Sequence, residues 1–454
     1  MLVQEVLAYV EQNHQRFLAD LERLIRQSSV AAKNEGMKEC AGLVVKMMEE
    51  IGVKAELLEL PDAFPLVYGE IRSRSNPEKT VLFYDHYDVQ PAEPLELWET
   101  PPFEPSVRDG KMFGRGVADN KGNLVSRLKI LESWLKTKGD IPCSFKFLVE
   151  GEEEIGSLNL ERYFEKYSRK FSCDGVVWEF GGVDEDERPT ITLGVKGILY
   201  VELEAKGPVR DVHSSTGAIV ANPAWRLVRA LDTLKDEKDR ILIPHWYRGI
   251  KPFTKEELKY LKAEPLHETA IKGELGIKSF IGGMKGLEAK KALAGKPTCT
   301  ICGLVSGWTG PGSKTVLPSK ALAKIDFRLV LGQKPRILLA ELKRHLKAKG
   351  YGDITVREHG MEEAARTPPN HPFVKAAVKA AEQEYPRPPV VSISSSGTGP
   401  MYLFTRDLKA PCICVGVGYP YTRAHSPNEN IRIQDFVKGT KWLARTINNF
   451  ARAK

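Results

Sequence analysis

Two hydrophobic rhythms run along this chain. In the first, short apolar runs alternate with segments whose apolar residues recur every three or four positions. VLFYDH at 81–86, SFKFLVE at 144–150 and GVVWEF at 175–180 read as buried strands. Residues 38–51 and 120–137 read as helices, the second with Leu124, Leu128, Leu131 and Leu135 on one face. The C-terminal part returns to this style, with a helix near 372–384, the strand CICVGVG and a closing helix near 434–452. Strands alternating with helices predict an α/β fold with a mixed, mainly parallel sheet flanked by helices.

The second rhythm is strict alternation. ILYVELEAKG from Ile198 and KALAKIDFRLVLG from Lys320 place apolar and polar residues in turn, the mark of antiparallel strands with one exposed face. A helix is predicted near 223–235, and Asn222 before Pro223 reads as its cap. These elements predict an α+β domain at 194–365, inserted into a first domain made of 1–193 and 366–454. The Lys- and Gly-rich stretch 245–296 fits neither rhythm.

Composition narrows the classes. With 454 residues, 42% hydrophobic and 28% charged, the chain reads as a soluble globular protein of more than one domain. No apolar run reaches the ~18 residues of a membrane span. The first residues, MLVQEVLAYVEQNHQRF, lack a basic start and a continuous apolar run, so a cytoplasmic location is expected. The net charge of +8 is spread along the chain without a basic stripe, and no nucleic-acid partner is expected. Seven cysteines include one C-x2-C pair, Cys299 and Cys302; these and Cys412 and Cys414 read as buried thiols in strands.

Candidate chemistry gathers past the strand ends. YDHYDVQP offers His86 and Asp88, one able to ligate a metal and the other to hold its second ring nitrogen. Asp119 follows a Gly-rich turn in GRGVADNKGN. Four glutamates crowd FLVEGEEEIGS, Glu179 closes VVWEF, and His425 lies in YTRAHSPNEN. Open α/β sheets place their sites at such strand ends. Two histidines and three carboxylates, one of them shared, suit a pair of ions such as Zn²⁺ or Mn²⁺.

HYDVQP, W-x-x-x-PF, DGKMFGRGVADNKG, EGEEEIGS, the HSS segment and the late R-A-H-S resemble, in that order, the dinuclear M20 metallopeptidases. That family spans carnosinase-like dipeptidases, glutamate carboxypeptidases, aminoacylases and acetylornithine or succinyl-diaminopimelate deacylases. The resemblance implies two divalent ions, zinc first, with manganese or cobalt as alternatives. His86 would ligate one and His425 the other, with Asp119 bridging and Glu154 and Glu179 completing the shells. It further implies Glu153 as general base, Asp88 as the residue orienting His86, and a cis Asp119-Asn120 peptide. His213 would reach a neighbouring subunit's site from the inserted lid, and Arg328 would bind the substrate carboxylate, so a homodimer through the lid is expected.

One segment departs from the dipeptidase pattern. Where carnosinase-like relatives carry R-E-G-G-S, this chain reads SSSGTGP at 394–400. Gly397 and Thr398 could take a carboxylate through backbone N–H groups and a hydroxyl, but no acid is offered to a free α-amino group. The expected activity is hydrolysis of dipeptides or short peptides. An N-acyl-amino-acid deacylase using the same site is the alternative, and a non-catalytic binding protein on the same fold is a third reading.

Overall fold

The computed structural model describes residues 3–453. Its main sheet runs Lys54–Leu58, Leu66–Ile71, Ser144–Glu150, Thr80–His86, Gly175–Trp178, Cys412–Cys414, Pro189–Thr192, Val390–Ser392, with Gly182–Val183 paired beside Pro189–Thr192. The four central strands, from Ser144–Glu150 to Cys412–Cys414, are mutually parallel. Their C-terminal ends therefore share one edge, and the segments that follow them emerge together there.

Alternation along each strand builds two cores. Val81 and Phe83 face a large cluster with helices Gln4–Arg26, Met37–Glu50, Lys121–Lys138, Pro372–Glu384 and Ile433–Arg452. Leu82 and Tyr84 face the other side, where Leu160–Phe171 and Met401–Arg406 pack. The helix Lys121–Lys138 is not one-sided as its leucines suggested. It is buried continuously from Lys121 to Trp134, between Gln4–Arg26 and Ile433–Arg452. Its polar residues are satisfied inside: Lys121 donates to the Leu24 and Gln27 carbonyls, and Lys129 pairs with Glu132 and Asp20.

The strictly alternating segments form a separate antiparallel sheet, Thr300–Ser306, Lys320–Leu329, Gly197–Lys206 and Thr355–Glu362 in that order. Leu199, Val201, Leu203, Ile325 and Phe327 are buried under helices Pro223–Asp232 and Pro335–Ala348. On the opposite face Ile198, Tyr200 and Arg328 line a cavity. The first helix ends earlier than its sequence suggested, and the Asn222 side chain caps it by accepting from the Ala224 N–H at 2.8 Å.

Two expectations are corrected. The unassigned stretch 245–296 is helical at Lys255–Ala263, Glu268–Glu274 and Gly286–Gly295. Leu261 and Ala294 from it pack into the core of the large sheet, although they lie within the span assigned to the insert. Cys302 is exposed and Cys299 only half-buried, because Thr300–Ser306 is an edge strand without cover. Cys412 and Cys414 are buried as expected.

Candidate metal centre and active site

Most of the candidate ligands come from segments leaving the common sheet edge. Asp119 instead follows Lys111–Phe113, a strand of a separate three-stranded sheet. His86 is the last residue of Thr80–His86, and Glu179 follows Gly175–Trp178 directly. Asp119 lies on a loop entering the helix at Lys121, and its peptide to Asn120 is cis. Glycines shape that loop. Gly116 has φ of +84°, and a Cβ on Gly122 would lie 2.2 Å from the Val117 carbonyl oxygen. Glu153 and Glu154 occupy a 3-10 turn, Glu153–Ile155, after Ser144–Glu150. At three residues per turn, successive side chains diverge by about 120°, so the two can face different partners. His425 sits in a loop of left-handed residues, with φ of 62°.

Asp119 joins two sets of contacts. Its Oδ1 lies 2.9 Å from His86 Nε2, which is also 3.8 Å from Glu179 Oε2. Its Oδ2 lies 3.1 Å from His425 Nε2, which is 3.1 Å from Glu154 Oε2. One set is enclosed, the His86 side chain being 1% exposed, while the other opens outward through His425 at 52%. His86, Asp119 and Glu154 also offer ligand atoms within 4.8 Å of one another. Asp88 holds His86 chiefly by its backbone: Nδ1 is 3.0 Å from the Asp88 carbonyl and 3.4 Å from its carboxylate. That carboxylate also accepts from the Glu154 N–H at 3.0 Å.

The electrostatics suit divalent cations. Glu154 Oε1 and Glu179 Oε2 are buried without a hydrogen-bond partner. Among the described residues the ion-pair partners of Asp119, Glu154 and Glu179 are the two histidines. Burial favours a neutral His86 ring, yet Asp119 and Asp88 raise its pKa well above the ordinary value. Hydrogen bonds to Asp119 and Glu154 lift His425 to about 10. Burial resists ionisation of Asp119, but His425 and His86 hold it below the usual carboxylate range. Glu153 is pushed up to about 8 by burial, with His86 pulling it down and Asp119 and Glu154 adding to the rise. Three carboxylates against two imidazoles are an excess of negative charge that bound cations would neutralise.

Several residues that fix this geometry were not singled out from the sequence. Glu429, buried, accepts from the N–H groups of Gly116, Ala118 and Asp119 at 2.9–3.0 Å and pairs with Arg115 at 2.8 Å. It lies four residues past His425, so one carboxylate ties the two ligand loops together. Gln90 donates to the Glu154 carboxylate, and the Trp178 indole donates to Glu179 Oε1, each at 3.0 Å. Glu152 accepts from the N–H groups of Phe64 and Asn159, bracing the turn that carries Glu153. The only sequence signal was proximity to the motifs, in HYDVQP, VVWEF, EGEEE and HSPNEN.

A cavity of about 740 Å³ runs from Glu153 to the open face of the small sheet. Arg328 and Thr398 both line it, and Arg328 Nη1 donates to Thr398 Oγ1 at 2.6 Å while Nε donates to Asp326 at 3.1 Å. Gly397 is a correction: its N–H already donates to Ser395 Oγ and its carbonyl accepts from Lys196, so it offers no free donor. His213 is exposed and engaged with Ser215 and Thr315, apart from the other site residues.

Residues 82–449 match the profile of peptidase family M20/M25/M40. The chain belongs to this family. It is 38% identical to the solved M20 family metallo-carboxypeptidase of Sulfolobus solfataricus, covering 96% of this chain and 99% of that one at a TM-score of 0.92. It is 27% identical to the human Beta-Ala-His dipeptidase, over 98% of this chain and 92% of the relative. It is likewise 27% identical to the Cys-Gly metallodipeptidase of Schizosaccharomyces pombe, over 99% of each.

In this M20 chain, bound divalent ions would supply Lewis acidity and charge for a developing oxyanion. His86, Asp119, Glu154, Glu179 and His425 would hold them. Glu153, beside the cluster and on the cavity wall, would be placed to take a proton from the attacking water and return it to the leaving amine. A carboxylate whose pKa lies near neutrality suits both transfers. Gln90, Trp178 and Glu429 keep the ligands from relaxing toward solvent.

Proposed function

We propose that this chain is a metal-dependent dipeptidase that also takes short peptides with a free C-terminal carboxylate. The observation carrying this reading is the cavity itself, which Glu153, beside the Asp119-centred cluster, lines together with the Arg328–Thr398 pair. A guanidinium fixed on a hydroxyl suits a carboxylate, and a carboxylate held in the same cavity as Glu153 marks a chain end rather than mid-chain cleavage. The relatives named above as dipeptidases support the same substrate class. Two zinc ions are favoured by the mixed imidazole and carboxylate donors, with Mn²⁺ or Co²⁺ next.

Residues 194–365 would act as a lid that also forms a homodimer. The edge strand Thr300–Ser306 exposes Ile301, Leu304 and Val305, and Val209, Ile219 and Trp225 are exposed in the same insert. His213, turned to Ser215 and Thr315 within its own chain, would serve the partner's site, polarising the scissile carbonyl. Cytoplasmic residence is supported by seven free cysteines. Among the described residues no helix is long and apolar enough to cross a membrane.

The test is a hydrolysis screen of dipeptides, C-terminal amides and N-acetyl amino acids, after chelation and reloading with Zn²⁺, Mn²⁺ or Co²⁺. Cleavage of free-acid dipeptides is expected. Turnover confined to N-acetyl amino acids would replace the reading with a deacylase, and none at all would favour a binding protein. Light scattering of the native protein checks the dimer, and a fully active monomer would remove the trans role of His213.

A further inference from the structure

The wall that the small sheet contributes to the cavity holds a carboxylate oxygen without a hydrogen-bond partner. Arg328, Ile198 and Glu362 form one row across three adjacent strands, since Ile198 pairs with Arg328 on one side and Glu362 on the other. Residues opposite one another in an antiparallel sheet share a face, so all three side chains point to the cavity they line. Two strand spacings separate the outer pair, about 10 Å between backbones. Glu362 Oε2 is shut off from solvent and has no hydrogen-bond partner.

Neighbouring cations are committed elsewhere. Arg328 donates to Asp326 and Thr398. Lys334 pairs with Glu363, and Arg406 pairs with Glu363, Glu161 and Asp407. Beside Glu362 the wall offers Ile198, apolar, and in the next row Tyr200, whose ring also lines the cavity. A carboxylate, an aromatic face and an aliphatic patch together recognise an alkyl chain ending in a positive charge.

We infer that Glu362 forms a subsite for the cationic side chain of a basic C-terminal residue whose carboxylate is held by Arg328. This rests on the proposed peptidase reading and on the carboxylate role of Arg328. The aliphatic stem would cross Ile198, and the ammonium or guanidinium would meet the Glu362 carboxylate and the Tyr200 ring. Burial raises Glu362 to about 7, opposed by Arg328, and an incoming cation would hold it ionised. A buried acceptor without a partner carries a desolvation cost, which such a ligand removes.

The experiment compares Ala-Lys, Ala-norleucine, Lys-Ala and Ala-Lys amide on the metal-loaded native enzyme, E362Q and E362K. Norleucine keeps the alkyl stem of lysine and drops the charge. The native enzyme should favour Ala-Lys over Ala-norleucine by roughly tenfold or more in kcat/KM, mostly through KM. In E362Q that ratio should fall toward one, and in E362K it should invert. Because the ratio is read within each variant, partial loss of folded protein does not affect it. Equal use of the two by the native enzyme, a ratio unchanged in E362Q, or a preference for Lys-Ala each overturns the proposal. Failure of the underlying reading looks different: Ala-Lys amide would be cut as well as the free acid, or none of the peptides would be cut.

Discussion

At the end of the large sheet, four of the five groups that would hold metal have a second anchor in the protein. Among the contacts of the described residues, His425 alone touches only its fellow ligands. His86 leans on Asp88, Glu154 on Gln90, Glu179 on Trp178, and the Asp119 loop on Glu429. On the open face of the small sheet, Arg328 is steadied by Asp326 and one hydroxyl, while Glu362 keeps an oxygen with no partner. The first arrangement fixes positions before any ligand arrives. The second leaves its interactions to be completed by the ligand. A buried sheet edge can enforce geometry that the reaction needs to within a fraction of an ångström, whereas a one-sided sheet tolerates different side chains above it. With the proposed roles of Arg328 and Glu362, the difference would assign chemistry to one sheet and selectivity to the other.

The strongest way to break this division is at Glu153. Glu153→Gln should lower kcat by about 10²- to 10⁴-fold while metal content by mass spectrometry stays at two ions per chain. Full turnover with both ions bound would move the base elsewhere. Next comes the anchor that joins the two ligand loops. Glu429→Ala leaves buried Arg115 and three backbone N–H groups without their acceptor. It should cost about 3–5 kcal/mol in chemical denaturation and weaken metal affinity by about 10- to 100-fold in a competition titration. Stability loss with unchanged metal affinity would make Glu429 a packing residue only.

On the lid side, Arg328→Ala should cost about 10- to 100-fold in kcat/KM for free-acid dipeptides, carried mainly by KM, with little effect on C-terminal amides. Equal losses on both would dissolve the distinction between the two sheets. The smallest effect is a slope with pH. In metal-free protein, the His425 pKa of about 10 lies above its unfolded value. A raised group stabilises the fold fully below its unfolded pKa, near 6.5, and that contribution disappears as pH climbs through its folded pKa. The melting temperature of chelated protein should therefore fall between pH 6.5 and 10, and saturating Zn²⁺ should flatten the slope by taking the place of the protons. Parallel slopes with and without metal would contradict the contact between His425 and the carboxylates.

The sequence exposed those features whose physics is local. Val81–Tyr84 is apolar throughout because both faces of the central sheet are covered, and a histidine or acid closing such a run stands out. The alternation in Gly197–Lys206 likewise announces a sheet covered on one side. What stayed hidden depended on partners distant in the chain. Glu429 is one acid among many until the fold brings it to the Asp119 loop, 310 positions away. Glu362 carries no motif, and its isolation follows from where Arg406 and Lys334 find their own partners. The helices Lys255–Ala263 and Gly286–Gly295 escaped notice because few of their residues are buried, among them Leu261 and Ala294. Cys302 misled because an apolar run on an edge strand looks like one in a core.

That edge strand has a consequence for handling the protein. Thr300–Ser306 presents a row of backbone donors and acceptors with Ile301, Leu304 and Val305 exposed beside them. Such an edge is a template for accretion of further chains once nothing covers it. If the proposed dimer covers this edge, dilution or a substitution that separates its two copies would trade an ordered assembly for slow precipitation rather than for a well-behaved single chain. A lysine placed at Leu304 would blunt the template and keep separated chains in solution.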